Sequence, residues 1–217
     1  MKTIGLFGGT FDPVHNGHLA VMREARQVLG LDEFHVLPAS DPWQKSQRVL
    51  APAAHRVAML ERAVAHLDQV HIDRRELDRH GPTYTFDTLA EVRAERGADC
   101  ALFWLIGSDA FARLSTWHRA AELPGLAHFA VVARKDSPGP FAGFAEIRRA
   151  RQTAHGMTVA VPIDAPDVSS TQIRARIARG EPIRGLTPEP VCDYIETHRL
   201  YQENPSLGQD QTDRPRR

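Results

Sequence analysis

Two short segments near opposite ends of the 217-residue chain hold the residue types that handle phosphate. The first is Gly8-Gly9-Thr10-Phe11-Asp12-Pro13-Val14-His15-Asn16-Gly17-His18-Leu19. Glycines where a strand ends let backbone N–H groups approach an anion closely, and a following helix adds the partial positive charge of its N-terminus. His15 and His18 are three residues apart, so if both are helical their imidazoles leave one face toward the same anion. This is neither the GxGxxG of dinucleotide-binding dehydrogenases nor the GxxxxGKS/T of a P-loop; imidazoles stand where the P-loop has lysine. The second segment is Ser169-Ser170-Thr171-Gln172-Ile173-Arg174. Two hydroxyls at a helix start with an arginine one turn in would make a second anion site, suited to the outer phosphates of a triphosphate. Each segment alone has a plainer reading: surface caps or a metal-ligand pair for the histidines, an ordinary Ser/Thr cap for the second.

The elements that must position these residues are legible as alternating apolar runs. Thr3 to Phe7 reads as a strand stopped by Gly8-Gly9, and Leu19, Met22, Ala25, Val28 and Leu29 recur at helical spacing over Asn16 to Leu29. Further strands are expected at Phe34 to Leu37, Val70 to Ile72, Ala101 to Ile106, Phe129 to Ala133 and Met157 to Val161. Helices are expected at Pro52 to Leu67, Thr85 to Arg96 and Phe144 to Thr153. Short apolar strands alternating with helices predict an α/β fold: a Rossmann-like, doubly wound parallel sheet with right-handed crossovers, binding ligands at the carboxyl ends of its strands. After Val161 two helices follow, Thr171 to Ala178 and Pro190 to His198, a small C-terminal helical extension. The reading is one domain over residues 1–202, with 161–202 its helical part, a loop over Lys135 to Gly143, and a disordered tail over 203–217.

Composition sets outer limits. Lys plus Arg and Asp plus Glu number 27 each, so the formal charge is zero, which argues against bulk affinity for nucleic acid or an anionic membrane. Any phosphate chemistry is local. Cys100 and Cys192 form no CxxC pair, so neither a disulfide framework nor a thiolate metal site is expected. No run approaches a membrane span and the N-terminal apolar stretch is too short for a signal peptide, so a soluble, cytoplasmic protein is expected. His55, His66, His71, His118, His128 and His155 show no ligand spacing and read as surface or satisfied core positions. Arg148, Arg149 and Arg151 read as a solvated helix face.

Taken together, His15-Asn16-Gly17-His18 and Ser169 to Arg174 resemble the two motifs of the His-x-Gly-His nucleotidyltransferases. The segments between them are similar to one family of that group, the nicotinate-nucleotide adenylyltransferases. These are Glu76 to Thr85 with Asp87-Thr88-Leu89, Trp104 to Phe111, Trp117, Phe129 to Arg134, and Val191 to Tyr201. The resemblance covers about residues 3 to 201. It departs at one place: where the family carries Pro-Pro-His-Lys, this chain reads Asp41-Pro42-Trp43-Gln44-Lys45, which keeps the lysine and leaves the histidine's contact in doubt.

The resemblance implies adenylyl transfer from ATP to nicotinate mononucleotide, giving deamido-NAD and pyrophosphate, a step of NAD biosynthesis. A phosphate monoester is already a nucleophile at pH 7, so catalysis reduces to in-line positioning and charge neutralisation. The implied catalytic set is His18 on the α-phosphate, His15 beside it, and Lys45 on the incoming phosphate. ATP would meet Gly8, Gly9, Thr10, Phe11, His18, Gly107, Asp109 and Arg134, with Ser170, Thr171 and Arg174 on its outer phosphates. Asp109 could accept from a ribose hydroxyl or simply cap the next helix. Nicotinate mononucleotide would meet Lys45, Tyr84, Thr85, Ser108 and Trp117; Trp104, inside a strand, reads as core. Mg²⁺ is implied with ATP and no dedicated metal ligand is expected, although Asp12 could reach the ion through water. Expected partners are these small molecules, without nucleic acid or membrane; self-association stays open. Two other readings remain: pantetheine-phosphate adenylyltransferase, which shares both end motifs, and a catalytically silent nucleotide sensor. Preference for nicotinate over nicotinamide is not legible.

Overall fold

The structure, a computed structural model, describes residues 1–40, 51–79, 81–134 and 144–202. Trp43, Gln44 and Lys45, the expected loop over Lys135 to Gly143 and the expected tail over 203–217 lie outside these residues. Six strands, β1 (Lys2–Gly9), β2 (Glu33–Pro38), β3 (Val70–Ile72), β4 (Cys100–Gly107), β5 (His128–Arg134) and β6 (Thr158–Ile163), form one sheet in the order β3-β2-β1-β4-β5-β6. Every neighbouring pair is parallel. The chain builds outward from β1 to one edge and then crosses back to β4, so winding reverses between β1 and β4. In a doubly wound sheet that reversal opens a crevice beyond the carboxyl ends of the two strands.

The helices are α1 (Asn16–Leu29), α2 (Ala53–Val64), α3 (Arg75–Asp78), α4 (Thr85–Arg96), α5 (Ser108–Phe111), α6 (Phe144–Ala150), α7 (Ser170–Ala178) and α8 (Glu189–Thr197). The bounds of α1, β3 and α4 coincide with the apolar periodicity. Three helices stop short of it, α8 by one residue at Thr197. α2 ends at Val64 because the chain must turn, through Gln69 at φ +64°, into β3; α6 ends at Ala150.

β4 explains why the sheet is covered on both sides: seven consecutive residues, Cys100 to Ile106, are buried. Alternation along the strand sends Ala101, Phe103 and Leu105 into one core with Met22, Ala25 and Leu29 of α1. Leu102, Trp104 and Ile106 point the other way, into a core with Phe86, Leu89 and Val92 of α4. The C-terminal helices share the first core through Ile173, Val191, Cys192 and Ile195. α8 rests on α2, where Tyr194 stacks under the Arg62 guanidinium at 4.4 Å and its hydroxyl bonds His55 Nδ1 at 3.0 Å. Both cysteines are buried free thiols. Among the described residues no helix is long and apolar enough to cross a membrane.

Candidate active site

The first of the two expected phosphate sites is built where β1 gives way to α1. His15 is not helical: it is the N-cap residue, with extended backbone at φ −146° and ψ 171°. Its Nδ1 accepts from the backbone N–H of His18 at 3.4 Å, and His18 Nδ1 accepts from the backbone N–H of His15 at 3.2 Å. The two side chains thus form a reciprocal capping box, a role usually filled by Ser or Thr with Glu or Gln. The rings stack with centroids 3.6 Å apart. Gly17 lets the His15 ring lie close to the backbone: a Cβ there would lie 3.1 Å from His15 Nδ1 and 3.3 Å from the Pro166 carbonyl oxygen. Since each Nδ1 is an acceptor, the ring proton of each neutral imidazole sits on Nε2. Burial pushes the His15 pKa down to about 4, so at neutral pH that ring is an uncharged donor. The expectation of two helical histidines on one face is therefore corrected. The same three-residue spacing serves a cap instead.

The turn before His15 is held from several sides. Phe11 has φ +48° and its buried ring packs edge-on against His18, centroids 5.0 Å apart, so only its backbone is placed to meet a ligand. Asp12, only 1% exposed, accepts at Oδ1 from the Tyr201 hydroxyl at 2.8 Å and from the Ala51 N–H at 3.2 Å, with Arg174 Nη1 3.4 Å from Oδ2. Desolvation and the Asp12 charge push the Tyr201 phenol pKa up. Asp12 Oδ1 is thus tied into the fold, while Oδ2 faces the Arg174 guanidinium. Arg56 carries no signal in the sequence beyond its place in a helix, yet it is 2% exposed and donates to four carbonyls: Thr10 and Ala39 at 2.8 Å, Ala51 at 3.0 Å and Ser40 at 3.3 Å.

The second motif docks directly on the first. Ser169 caps α7 by accepting from the Gln172 N–H at 3.2 Å, and Ser170 donates to the Pro13 carbonyl at 2.9 Å. Arg174 donates to the Asp12 carbonyl and, at 3.1 Å, to the Thr171 hydroxyl. The two segments are brought together as expected, but Ser170 and Arg174 spend hydrogen bonds on joining α7 to the turn before α1.

Beside this corner, a cleft of about 330 Å³ opens at the winding reversal. Phe7, Gly8, Gly9 and Thr10 from the end of β1 face Leu105, Ile106 and Gly107 from the end of β4 across it. Its far wall is aromatic and polar. Tyr84, Thr85 and Trp117 line it, and His118, Glu76, Thr83 and Arg113 join them. Tyr84 stacks on His118 with centroids 4.4 Å apart. Trp104 is core, as read, yet its ring also floors the cleft: a Cβ on Gly8 would lie 2.8 Å from it, so Gly8 serves ring packing as well as backbone access. Thr85 begins α4 after Tyr84 without any side-chain cap, leaving first-turn N–H groups at the cleft wall. Ser108 and Asp109 sit on the exposed first turn of α5 and do not line the cleft, although Gly107 does. Arg134 closes β5 opposite Ile163. Glu76 is buried and accepts from the Thr88 hydroxyl at 2.8 Å; burial pushes its pKa up to about 7.

The sequence model of the Cytidylyltransferase-like family matches residues 6–176. A protein of Pseudomonas aeruginosa strain UCBPP-PA14 named as a nicotinate-nucleotide adenylyltransferase is 44% identical, over 93% of this chain and 98% of its own. One of Salinispora arenicola, named likewise, is 41% identical over 90% of this chain and all of its own. The chain belongs to the nicotinate-nucleotide adenylyltransferase family. The fold agrees: the Plasmodium falciparum nicotinic acid mononucleotide adenylyltransferase solved with NaAD superposes with a TM-score of 0.71 at 20% identity, covering 93% of this chain and 98% of that one.

For a member of this family, the residues that sequence reasoning missed share one trait. Arg56, Glu76, Thr83 and His118 take their meaning from surroundings that only the fold supplies. Glu76 and Thr83 did lie in a segment quoted for the resemblance, but nothing in their spacing marked them. His128, by contrast, is the satisfied core histidine expected, with Nε2 bonded to the Thr153 carbonyl at 2.8 Å and Nδ1 accepting from the Met157 N–H at 3.1 Å.

Proposed function

We infer that the chain transfers the adenylyl group of ATP to the phosphate of nicotinate mononucleotide, releasing pyrophosphate and forming deamido-NAD. The observation that carries this reading is the adjacency of two sites: the paired, Nε2-protonated imidazoles at the start of α1, and the aromatic cleft between the ends of β1 and β4. A phosphate oxygen of the mononucleotide attacks the α-phosphorus, a new P–O bond forms in line, and the bond to the pyrophosphate oxygen breaks. Nothing in this step needs a base. It needs donors aimed where negative charge collects on the transferring group, and preorganised neutral N–H donors serve that end without having to be desolvated as charges. His18 Nε2–H is assigned to the α-phosphate and His15 beside it, with the Gly8-Gly9-Thr10 backbone approaching the nucleotide.

Tyr84, Trp117 and His118 supply flat faces for the pyridine ring. The uncapped start of α4 at Thr85 supports a carboxylate over an amide, because partial positive charge at a helix N-terminus favours an anion. Gly107 and Arg134 are assigned to the ATP side, and Ser170, Thr171 and Arg174 to the outer phosphates, which requires Arg174 to exchange its Asp12 contact for phosphate oxygens. Lys45 keeps its assignment to the incoming phosphate. Mg²⁺ enters with ATP as part of the substrate, and no described residue is assigned to hold the ion. Incubation with MgATP and nicotinate mononucleotide should yield deamido-NAD by mass spectrometry; absence of this product would remove the reading.

A further inference from the structure

Thr83 stands in the wall of the cleft, 8% exposed, and its hydroxyl has no hydrogen-bond partner among the described residues. Other threonine hydroxyls in the molecule are bonded: Thr3 to the Gly30 carbonyl, Thr88 to Glu76 and Thr187 to the Val14 carbonyl. A buried polar atom left unsatisfied is costly, and folded proteins keep few of them. One placed in the wall of a ligand cleft is explained when the ligand completes it.

We propose that the Thr83 hydroxyl is a specificity-determining contact that hydrogen-bonds the pyridine end of the mononucleotide. The proposal rests on the function inferred above and extends it to a residue so far without a role. The assignment to the pyridine end follows from the neighbours. Thr83 leads directly into Tyr84 and Thr85, on the side of the cleft walled by Trp117 and His118. The phosphate-handling backbone, Gly8 to Thr10, lies on the β1 side. Glu76, in the same wall, is bonded to Thr88, and burial raises its pKa toward neutrality, which lessens its repulsion of an acidic ring.

Steady-state kinetics with MgATP and nicotinate mononucleotide on wild type, Thr83→Val and Thr83→Ser tests this, with thermal melting of each ligand-free protein. Valine keeps the shape and removes the hydroxyl. Thr83→Val should raise KM for nicotinate mononucleotide roughly tenfold or more, the scale of a lost hydrogen bond to a charged ligand, while KM for ATP stays within about twofold. Thr83→Ser should behave like wild type. Ligand-free Thr83→Val should melt no lower than wild type, because it sheds an unsatisfied group; a structural hydroxyl would give the opposite shift. An unchanged KM for the mononucleotide, an equal rise in KM for ATP, or a lower melting temperature for Thr83→Val would each overturn the contact while leaving the adenylyl transfer intact. A wild type that turns over no nicotinate mononucleotide would instead overturn the functional reading, and the contact with it.

Discussion

At the scale of single residues, His15 and His18 each do two things at once. Each Nδ1 caps a helix and so fixes which nitrogen carries the proton, a coupling of local structure to chemistry that an isolated imidazole lacks. His18→Ala should lower kcat on the order of a hundred- to a thousandfold, as loss of one preorganised transition-state donor does. A pyrophosphate-release assay on protein checked for intact folding measures it. Glu76 makes a prediction of a different kind. Its folded pKa of about 7 lies above the unfolded value near 4.5, so between those pH values the folded state holds a proton that the unfolded chain has released. Stability therefore falls as pH rises through this window and levels off above it. Glu76→Gln, which keeps an acceptor for the Thr88 hydroxyl, should remove the fall. Relative to wild type it should gain on the order of 3 kcal/mol between pH 4.5 and pH 8, at about 1.4 kcal/mol per unit of pKa difference, read by denaturant unfolding at both ends.

Among the elements, the ends of β1 and β4 and the starts of α1 and α4 line the candidate site; the helix starts were legible in the sequence, whereas β1 runs on through Gly8-Gly9, where a stop is expected, and β4 reaches Gly107. Val70–Ile72, Asn16–Leu29 and Thr85–Arg96 have the bounds that apolar spacing indicates, because a strand or helix with one buried face repeats its apolar residues at the element's own period. Side-chain roles at element ends were less legible. The His15–His18 spacing fits a shared helix face and a capping box equally, and only the extended backbone at His15 decides between them. Arg56 illustrates the other limit. Within Ala53–Val64 it looks like any helix arginine, and its burial depends on carbonyls from Thr10, Ala39, Ser40 and Ala51, which converge only in the folded chain. Through Thr10 it pins the loop that follows β1. Arg56→Met should leave these carbonyls without their donor and lower stability by about 3 kcal/mol or more, measured by urea unfolding, since loss of a buried multiply bonded group is among the most destabilising single changes.

Across the whole molecule, a chain of zero formal charge brings His15, His18, Ser170 and Arg174, the residues proposed to meet phosphate, to one place by folding alone. The order β3-β2-β1-β4-β5-β6 brings the reversal of winding to the middle of the sheet, and the return of the C-terminal helices seats Ser170 and Arg174 on the turn before His15. The fold class and the meeting of the two end motifs were readable in advance because each rests on local pattern or family resemblance; Tyr84, Thr85 and Trp117, named from that resemblance, fall in the wall of one cleft. The exposed position of Ser108 and Asp109 outside the cleft, and the commitment of Asp12 to Tyr201 and Ala51, were not readable in advance, because both depend on how distant segments pack.

Pyrophosphate release by the full chain with MgATP, comparing nicotinate mononucleotide, nicotinamide mononucleotide and phosphopantetheine at equal concentration, tests the central claim most directly. The account predicts the highest kcat/KM with nicotinate mononucleotide, a lower value with the nicotinamide form and none with phosphopantetheine. Turnover of phosphopantetheine alone, or no turnover with either pyridine nucleotide, would contradict it.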